Sequence, residues 1–296
     1  MSCSPYAKLS RRGVFSLCAG ALFAPQFGCP AIARETTIQF GLTPVFLTSD
    51  LELLGRLQSY LQRVTGCAVS LVNRRTYQEV TALLTSGQID GAWICGYPFV
   101  SHKPELQLVA VPLWHRKPLY QSYTICDAGR NARDLMSLGG DVHAFSDPDS
   151  NSGFLVTRAA LAERALRPET FFSRTMFTYG HRNVIRAVAS GLAQSGSVDG
   201  YVYDVVSKLE PELTKRTRIV TVSEWLGFPP IAAPKNPPDP ERLALLKTAL
   251  LGMHEADDGR AVLEMLQLDG FAVEDPSLFD PIARKAALVA AAERGT

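Results

Sequence analysis

Apolar residues in this chain recur in two rhythms, every second position over short stretches and every third or fourth over longer ones. Ile38, Phe40 and Leu42 alternate with polar neighbours and predict a half-buried strand. Leu51, Leu54, Leu57, Leu61 and Val64 then follow at helical spacing, with Gly66 as the stop. A strand over Val69–Val72, a helix from Tyr77 to Thr85 ended by Gly87, and strands over Gly91–Cys95 and Leu106–Val111 continue the series. Strand and helix in strict alternation imply βαβ wiring and a mostly parallel sheet with both faces covered.

A second unit of the same kind begins near Gln121. Tyr123–Cys126 and His143–Phe145 read as strands with a short helix, Asn131–Leu135, between them. A helix from Gly153 to Leu166 carries Leu155, Ala159, Ala162 and Leu166 on one stripe. Thr175–Phe177, a helix over Asn183–Leu192, and Gly200–Tyr203 as a further strand keep the alternation going, and Ile219–Val222 turns back toward the first unit. Past Pro229-Pro230 and the proline-rich Pro234–Pro240 loop, the remainder is helical and rich in Ala and Leu. Two α/β units joined by crossings near 121 and 224 predict two lobes: residues 34–121 with 224–296, and residues 122–223. In open α/β sheets ligands sit beyond the carboxyl ends of strands, where helix N-termini point, so a cleft between lobes is the place to look.

Residues 1–33 read as an export signal rather than as fold. Ser10-Arg11-Arg12 precedes an apolar run from Gly13 to Phe27, and Ala31-Ile32-Ala33 places small residues for cleavage after Ala33. The paired arginines fit the twin-arginine route, with a general secretory signal and a membrane anchor as alternatives. The run is shorter than the ~20 apolar residues of a spanning helix, and Gln26 stands where a lipoprotein signal ending at Cys29 wants leucine. The expected location is periplasmic. Of 296 residues, 30 are Lys or Arg and 29 Asp or Glu; losing Lys8, Arg11 and Arg12 leaves 27 basic against 29 acidic. That balance gives no reason to expect nucleic acid or an acidic membrane as partner. Cys67, Cys95 and Cys126 remain, an odd number for an oxidising compartment, and no Cys/His spacing predicts a metal site.

Two segments carry candidate chemistry. Asp147-Pro148-Asp149-Ser150-Asn151-Ser152-Gly153-Phe154-Leu155 ends a strand, turns, and opens a helix. Ser150, Asn151 and Ser152 bring side-chain donors to a helix start, and the amides of Ser152 and Gly153 are expected to be open to an anion. A plain N-cap accounts for the same residues. Tyr179-Gly180-His181 stands at another strand end before a helix, where an imidazole can donate to an oxyanion without a permanent charge; a capping or core histidine is the plainer reading.

In order along the chain, these segments resemble the periplasmic phosphonate-binding proteins of ABC transporters, which have the type II solute-binding fold. The stretch from Asp147 to Val156 is similar to that family's DPNSTSGFLV. Gly180-His181, Ala187-Val188-Ala189 and Val198-Asp199 resemble its GH…AVA…VD element, and Tyr77 with Ile89-Asp90-Gly91-Ala92-Trp93 its DY…VDIAW segment. The resemblance implies a monomeric binding protein, not an enzyme, that needs no cofactor and delivers a small oxyanion (phosphonate, phosphite or phosphate-like) to an ABC permease. It implies that Ser150, Asn151, Ser152 and Gly153 hold the anion with His181, while Tyr77 and Tyr120 reach it from the other lobe; for Tyr120 the match is Leu119-Tyr120-Gln121-Ser122 against G-Y-W-S.

The departures from the family pattern bear on the ligand. Asn151 replaces a threonine, Arg182 follows His181 where acidic or neutral residues are usual, and Tyr201-Val202-Tyr203-Asp204 replaces the acidic stretch that holds an aminoalkyl tail. Tyr203 and Asp204 are the residues left to meet such a tail, which points to a smaller or uncharged-tail oxyanion. Cys95, at a strand end facing the expected cleft, is a small buried hydrophobe or half a disulfide on the plain reading. Relatives of the family sense arsenite through a cysteine, so the alternative is an oxyanion-sensing protein feeding a histidine kinase. A nucleophile at Ser150 or Cys95 with His181 as base has no identifiable acid partner, and no nucleophile elbow or phosphate-binding glycine loop is present.

Overall fold

Ile38, Phe40 and Leu42 are buried along one face of β1 (Thr37–Leu42). The structure is a computed structural model that describes residues 37–43 and 51–294; the export segment and its cleavage point after Ala33 lie outside the described residues. Helix α1 (Leu51–Thr65) buries Leu53, Leu57, Tyr60 and Leu61, while Leu51 faces solvent. After β2 (Ala68–Asn73) comes α2 (Tyr77–Thr85), fixed at its start by a reciprocal cap. Thr76 Oγ1 accepts the Glu79 amide, and the Glu79 carboxylate accepts the Thr76 amide, an arrangement worth ~1 kcal/mol. The helix ends at Gly87, which turns the chain at φ 70°. Then follow β3 (Gly91–Trp93), α3 (Gly96–Ser101), β4 (Leu106–Leu113) and the short β5 (Leu119–Tyr120).

The chain continues through β6 (Ser122–Asp127), β7 (Val142–Phe145), a π-helical turn over Asn151–Leu155 that runs into α4 (Val156–Ala162), α5 (Pro168–Phe171), β8 (Arg174–Phe177), α6 (His181–Ala189), β9 (Ser195–Asp199), α7 (Gly200–Leu209), α8 (Pro211–Thr214) and β10 (Thr217–Val222). It returns through β11 (Leu226–Gly227), β12 (Ile231–Pro234), α9 (Pro240–Leu251), α10 (Asp257–Leu266), β13 (Gly270–Ala272) and α11 (Asp280–Arg294). Among the described residues no helix is long and apolar enough to cross a membrane.

The strands form two main sheets, ordered β13-β4-β12-β3-β1-β2 and β10-β6-β9-β7-β8. Each is mixed rather than mostly parallel. β2, β1 and β3 are parallel, as are β9, β7 and β8. The other neighbours are antiparallel. The reason is connectivity: β12 joins its sheet after the chain has come back from the other one, so no local βαβ crossover dictates its direction. Between the sheets β5 and β11 pair as a two-stranded ribbon, with Tyr120 opposite Leu226. Bonds from the Ser223 amide to the Ser122 carbonyl (2.9 Å) and from the Phe228 amide to the Pro118 carbonyl (2.8 Å) extend it.

Three expectations are corrected. Asn131–Leu135 is not a helix; Asp134 accepts the Ser137 amide (2.8 Å) and caps a 3₁₀ turn over Leu135–Leu138. Gly200–Tyr203 is the first turn of α7, and the strand is β9, ending at Asp199. The region after Pro240 is not all helical, since it supplies β13.

Candidate functional site

β7 lies inside the second sheet, and its carboxyl end delivers Ser146 and Asp147 to the boundary between the lobes. The Asp147 carboxylate accepts the amides of Asp149 (2.9 Å) and of Tyr77 (3.3 Å), so this loop is bonded to the start of α2 in the other lobe. Ser150 caps the turn that follows by accepting the Gly153 amide (2.9 Å). The turn is wide, with the Leu155 amide reaching back to the Ser150 carbonyl (3.0 Å), and such π turns are frequent at functional sites. Ser122 Oγ donates to the Ser152 carbonyl (2.6 Å) and pins the turn to the hinge. Glycine is required at 153: a Cβ there would lie 1.9 Å from Ser146 Oγ and 3.0 Å from His181 Cε1.

His181 opens α6 after Tyr179, which takes the left-handed region at φ 52°, a conformation that costs a non-glycine residue ~1 kcal/mol or more. Its Nδ1 accepts the Asp199 amide at 3.1 Å, so the ring proton of the neutral imidazole is on Nε2. Nε2 lies 3.3 Å from the Tyr77 hydroxyl. Burial without an acidic partner pushes the imidazole down to about 3, and the ring is neutral at physiological pH. Tyr77 therefore accepts from His181 and retains its own phenolic proton. Burial raises that phenol well above its usual range.

Tyr120 stands on β5, in the two-stranded ribbon with β11. Its hydroxyl accepts from Asn151 Nδ2 at 2.8 Å. Burial holds this phenol protonated as well. Asn151 also gives its amide to Cys95 Sγ at 3.1 Å. Cys95 precedes the first residue of α3 without a side-chain capping bond, and burial pushes its thiol up to about 12. Among the described residues, Cys67, Cys95 and Cys126 form no disulfide. Asn151 Oδ1 and Ser146 Oγ are buried with no partner among the described residues.

Tyr77, Cys95, Tyr120, Ser150, Asn151, Ser152, Gly153 and His181 are thus brought together, all buried. The turn is covered by the opposite lobe and the hinge, and the His181 ring faces the boundary rather than its own lobe's core. The expectation of two open amides is corrected for Gly153, whose N–H is taken by Ser150 Oγ; Ser152 N–H makes no bond among the described residues. Tyr203 and Asp204 bond within the second lobe. The Tyr203 hydroxyl bonds Thr217 Oγ1 (3.0 Å), and Asp204 accepts from Tyr123 (3.4 Å), so both serve the packing of α7 against β6 and β10. Arg182 is ion-paired with Glu210 at 2.5 Å. In their place the site holds Asp199, unforeseen as a site residue. Its Oδ1 accepts the Val202 amide (3.2 Å), its Oδ2 lies 3.5 Å from Ser152 Oγ, and burial pushes it up to about 7. No cluster of metal-ligating side chains occurs among the described residues.

This geometry can be set beside known proteins. The model of the family described as "ABC transporter, phosphonate, periplasmic substrate-binding protein" matches residues 40–279. The chain belongs to that family. Its members are substrate-binding proteins, not enzymes, and periplasmic. Among solved structures, the binding protein component of an ABC phosphonate transporter from Pseudomonas aeruginosa is 18% identical with a TM-score of 0.81, over 88% of both chains. PhnD1 from Prochlorococcus marinus, solved with methylphosphonate, is 16% identical with a TM-score of 0.75, over 85% of this chain and 98% of that one. A Xanthomonas citri protein solved with chloride is 16% identical with a TM-score of 0.69, over 88% and 99%. A comparison with curated protein sequences finds no match. At these identities the structures establish the fold, the two-lobed α/β fold of periplasmic binding proteins.

Proposed function

We propose that the chain captures a small tetrahedral oxyanion of the phosphonate, phosphite or phosphate kind between its lobes and delivers it to an ABC permease. The observation that carries this reading is the proton arrangement at the lobe boundary. His181 and Asn151 donate to Tyr77 and Tyr120, so both phenolic protons remain available to ligand oxygens. The Ser152 amide adds a third donor beside them. Each such bond to a charged acceptor contributes ~1.5–3 kcal/mol. Tyr77, Tyr120, Ser150, Asn151, Ser152, Gly153 and His181 form the binding set, and closure of the hinge brings both lobes' donors onto one anion. The fold match to a methylphosphonate-bound protein supports the same class of ligand. Export with cleavage after Ala33 completes the reading.

A thermal-shift panel of methylphosphonate, phosphite, phosphate, arsenate, arsenite and sulfate tests it. A ligand at 100 times its dissociation constant stabilises by ~2.7 kcal/mol; a melting curve unmoved by every phosphorus oxyanion removes the reading.

The second reading, arsenite sensing for a histidine kinase, has one supporting observation: Cys95 Sγ lies at the lobe boundary, 3.1 Å from the Asn151 amide. Its protonated state weighs the other way. If Cys95→Ser leaves arsenite binding intact, that reading is removed.

A further inference from the structure

Resting on the oxyanion reading above, we propose that Asp199 is a positioning residue that takes up a proton as the ligand is captured, turning the Ser152 hydroxyl from an inward donor into a donor to the anion. Asp199 acts on the site by two routes. Its backbone N–H fixes the His181 tautomer (3.1 Å), and its carboxylate lies 3.5 Å from Ser152 Oγ, at the outer limit of a hydrogen bond. The residue is 1% exposed.

Among the described residues, the groups that act on it electrostatically are acids, phenols, a thiol and a neutral imidazole, while Lys208 and His115 act on its neighbour Asp204. Asp204 and Tyr201 on α7, Tyr123 on β6, His181 on α6, Tyr77 on α2, Tyr120 on β5 and Cys95 before α3 face this region, together with Asp147 on the neighbouring loop. Arg182, nearby in sequence to His181, is committed to Glu210. The ionised carboxylate is offset only by amides at the start of α7 and by Ser152.

While Asp199 is ionised, Ser152 gives its proton to the carboxylate and turns oxygen lone pairs to the site. An arriving oxyanion meets those lone pairs and a like charge behind them, and both favour the neutral acid. One proton then leaves the buffer and forms an O–H bond on Asp199. That O–H donates to Ser152 Oγ, and the serine proton is released toward the ligand. Burial already brings the carboxyl to about 7, so the proton is available near neutral pH.

Titration calorimetry with methylphosphonate and phosphite, in two buffers of unlike ionisation enthalpy, compares the wild type with Asp199→Asn. Asparagine preserves the helix cap and does not titrate. The ligand's own ionisation is common to both proteins, so their difference reports Asp199. Wild type takes up about one more proton than the variant, and above about pH 7 its affinity falls up to tenfold per pH unit relative to the variant. Equal proton uptake and parallel pH profiles overturn the proposal. Infrared difference spectroscopy of the wild type needs no variant: a protonated-carboxyl band appears on ligand addition, and its absence also overturns the proposal. If wild type binds neither probe at any pH, the oxyanion reading itself has failed.

Discussion

The imidazole of His181 meets the phenol of Tyr77 across the lobe boundary, Nε2 to hydroxyl at 3.3 Å, with Nδ1 held by the Asp199 amide on the other side. One lobe thereby dictates how the other lobe's tyrosine presents its proton. Tyr77→Phe removes that proton and leaves the Nε2–H of His181 unpaired. The expected result is a loss of ~1.5–3 kcal/mol in phosphonate binding, about 10- to 100-fold in affinity by calorimetry. Unchanged affinity would place the ligand elsewhere.

The tautomer itself can be observed. Nitrogen NMR of His181 is expected to show a neutral ring protonated on Nε2, with no titration from pH 8 down to about 4, because burial holds the ring at about 3. A midpoint near the ordinary 6.5 would contradict the burial and the bond from Asp199.

Gly153→Ala places a methyl group 1.9 Å from Ser146 Oγ. Relief requires the turn to shift away from His181, so denaturation should show a loss of ~1–3 kcal/mol together with loss of ligand binding. A variant with both stability and affinity intact would mean that the turn has more room than its geometry allows.

Asp199→Asn has a defined pH signature in stability. The folded carboxyl titrates at about 7, above its unfolded value near 3.8. The native state therefore binds the extra proton within that window, and wild-type stability contributed by this group is present below about 4 and lost as pH rises toward 7. Asparagine loses nothing, so the variant should gain on wild type by up to ~1.4 kcal/mol per pH unit through the window and then level off. Denaturant midpoints across pH 4–8 check this; a constant difference would contradict it.

Much of the fold was legible because local signals and tertiary packing agree. The Thr76–Glu79 capping pair, the apolar spacing behind it and Gly87 delimit α2 over Tyr77–Thr85. β9 was not legible. Its Ser195, Gly196 and Ser197 carry no apolar alternation, because the buried face is polar: the two serine hydroxyls bond His143 (2.8 and 2.9 Å), and Ser197 also bonds Thr157 (2.6 Å). The strand pattern was read instead into Gly200–Tyr203, whose aromatic and β-branched residues belong to a buried helical turn. That slip moved the strand end past Asp199. The mixed sheets escaped for a related reason, since nothing local in Ile231–Pro234 records that its neighbours run the opposite way.

The central claim is that two phenolic protons and a neutral imidazole at the lobe boundary grip an oxyanion. Its most direct test is calorimetric titration of wild type and a Tyr77→Phe/Tyr120→Phe double variant with methylphosphonate, phosphite and phosphate. Saturable one-site binding of at least one of them by wild type, lost in a folded double variant, is the predicted result. Binding that survives removal of both hydroxyls, or no binding by wild type, would contradict the claim.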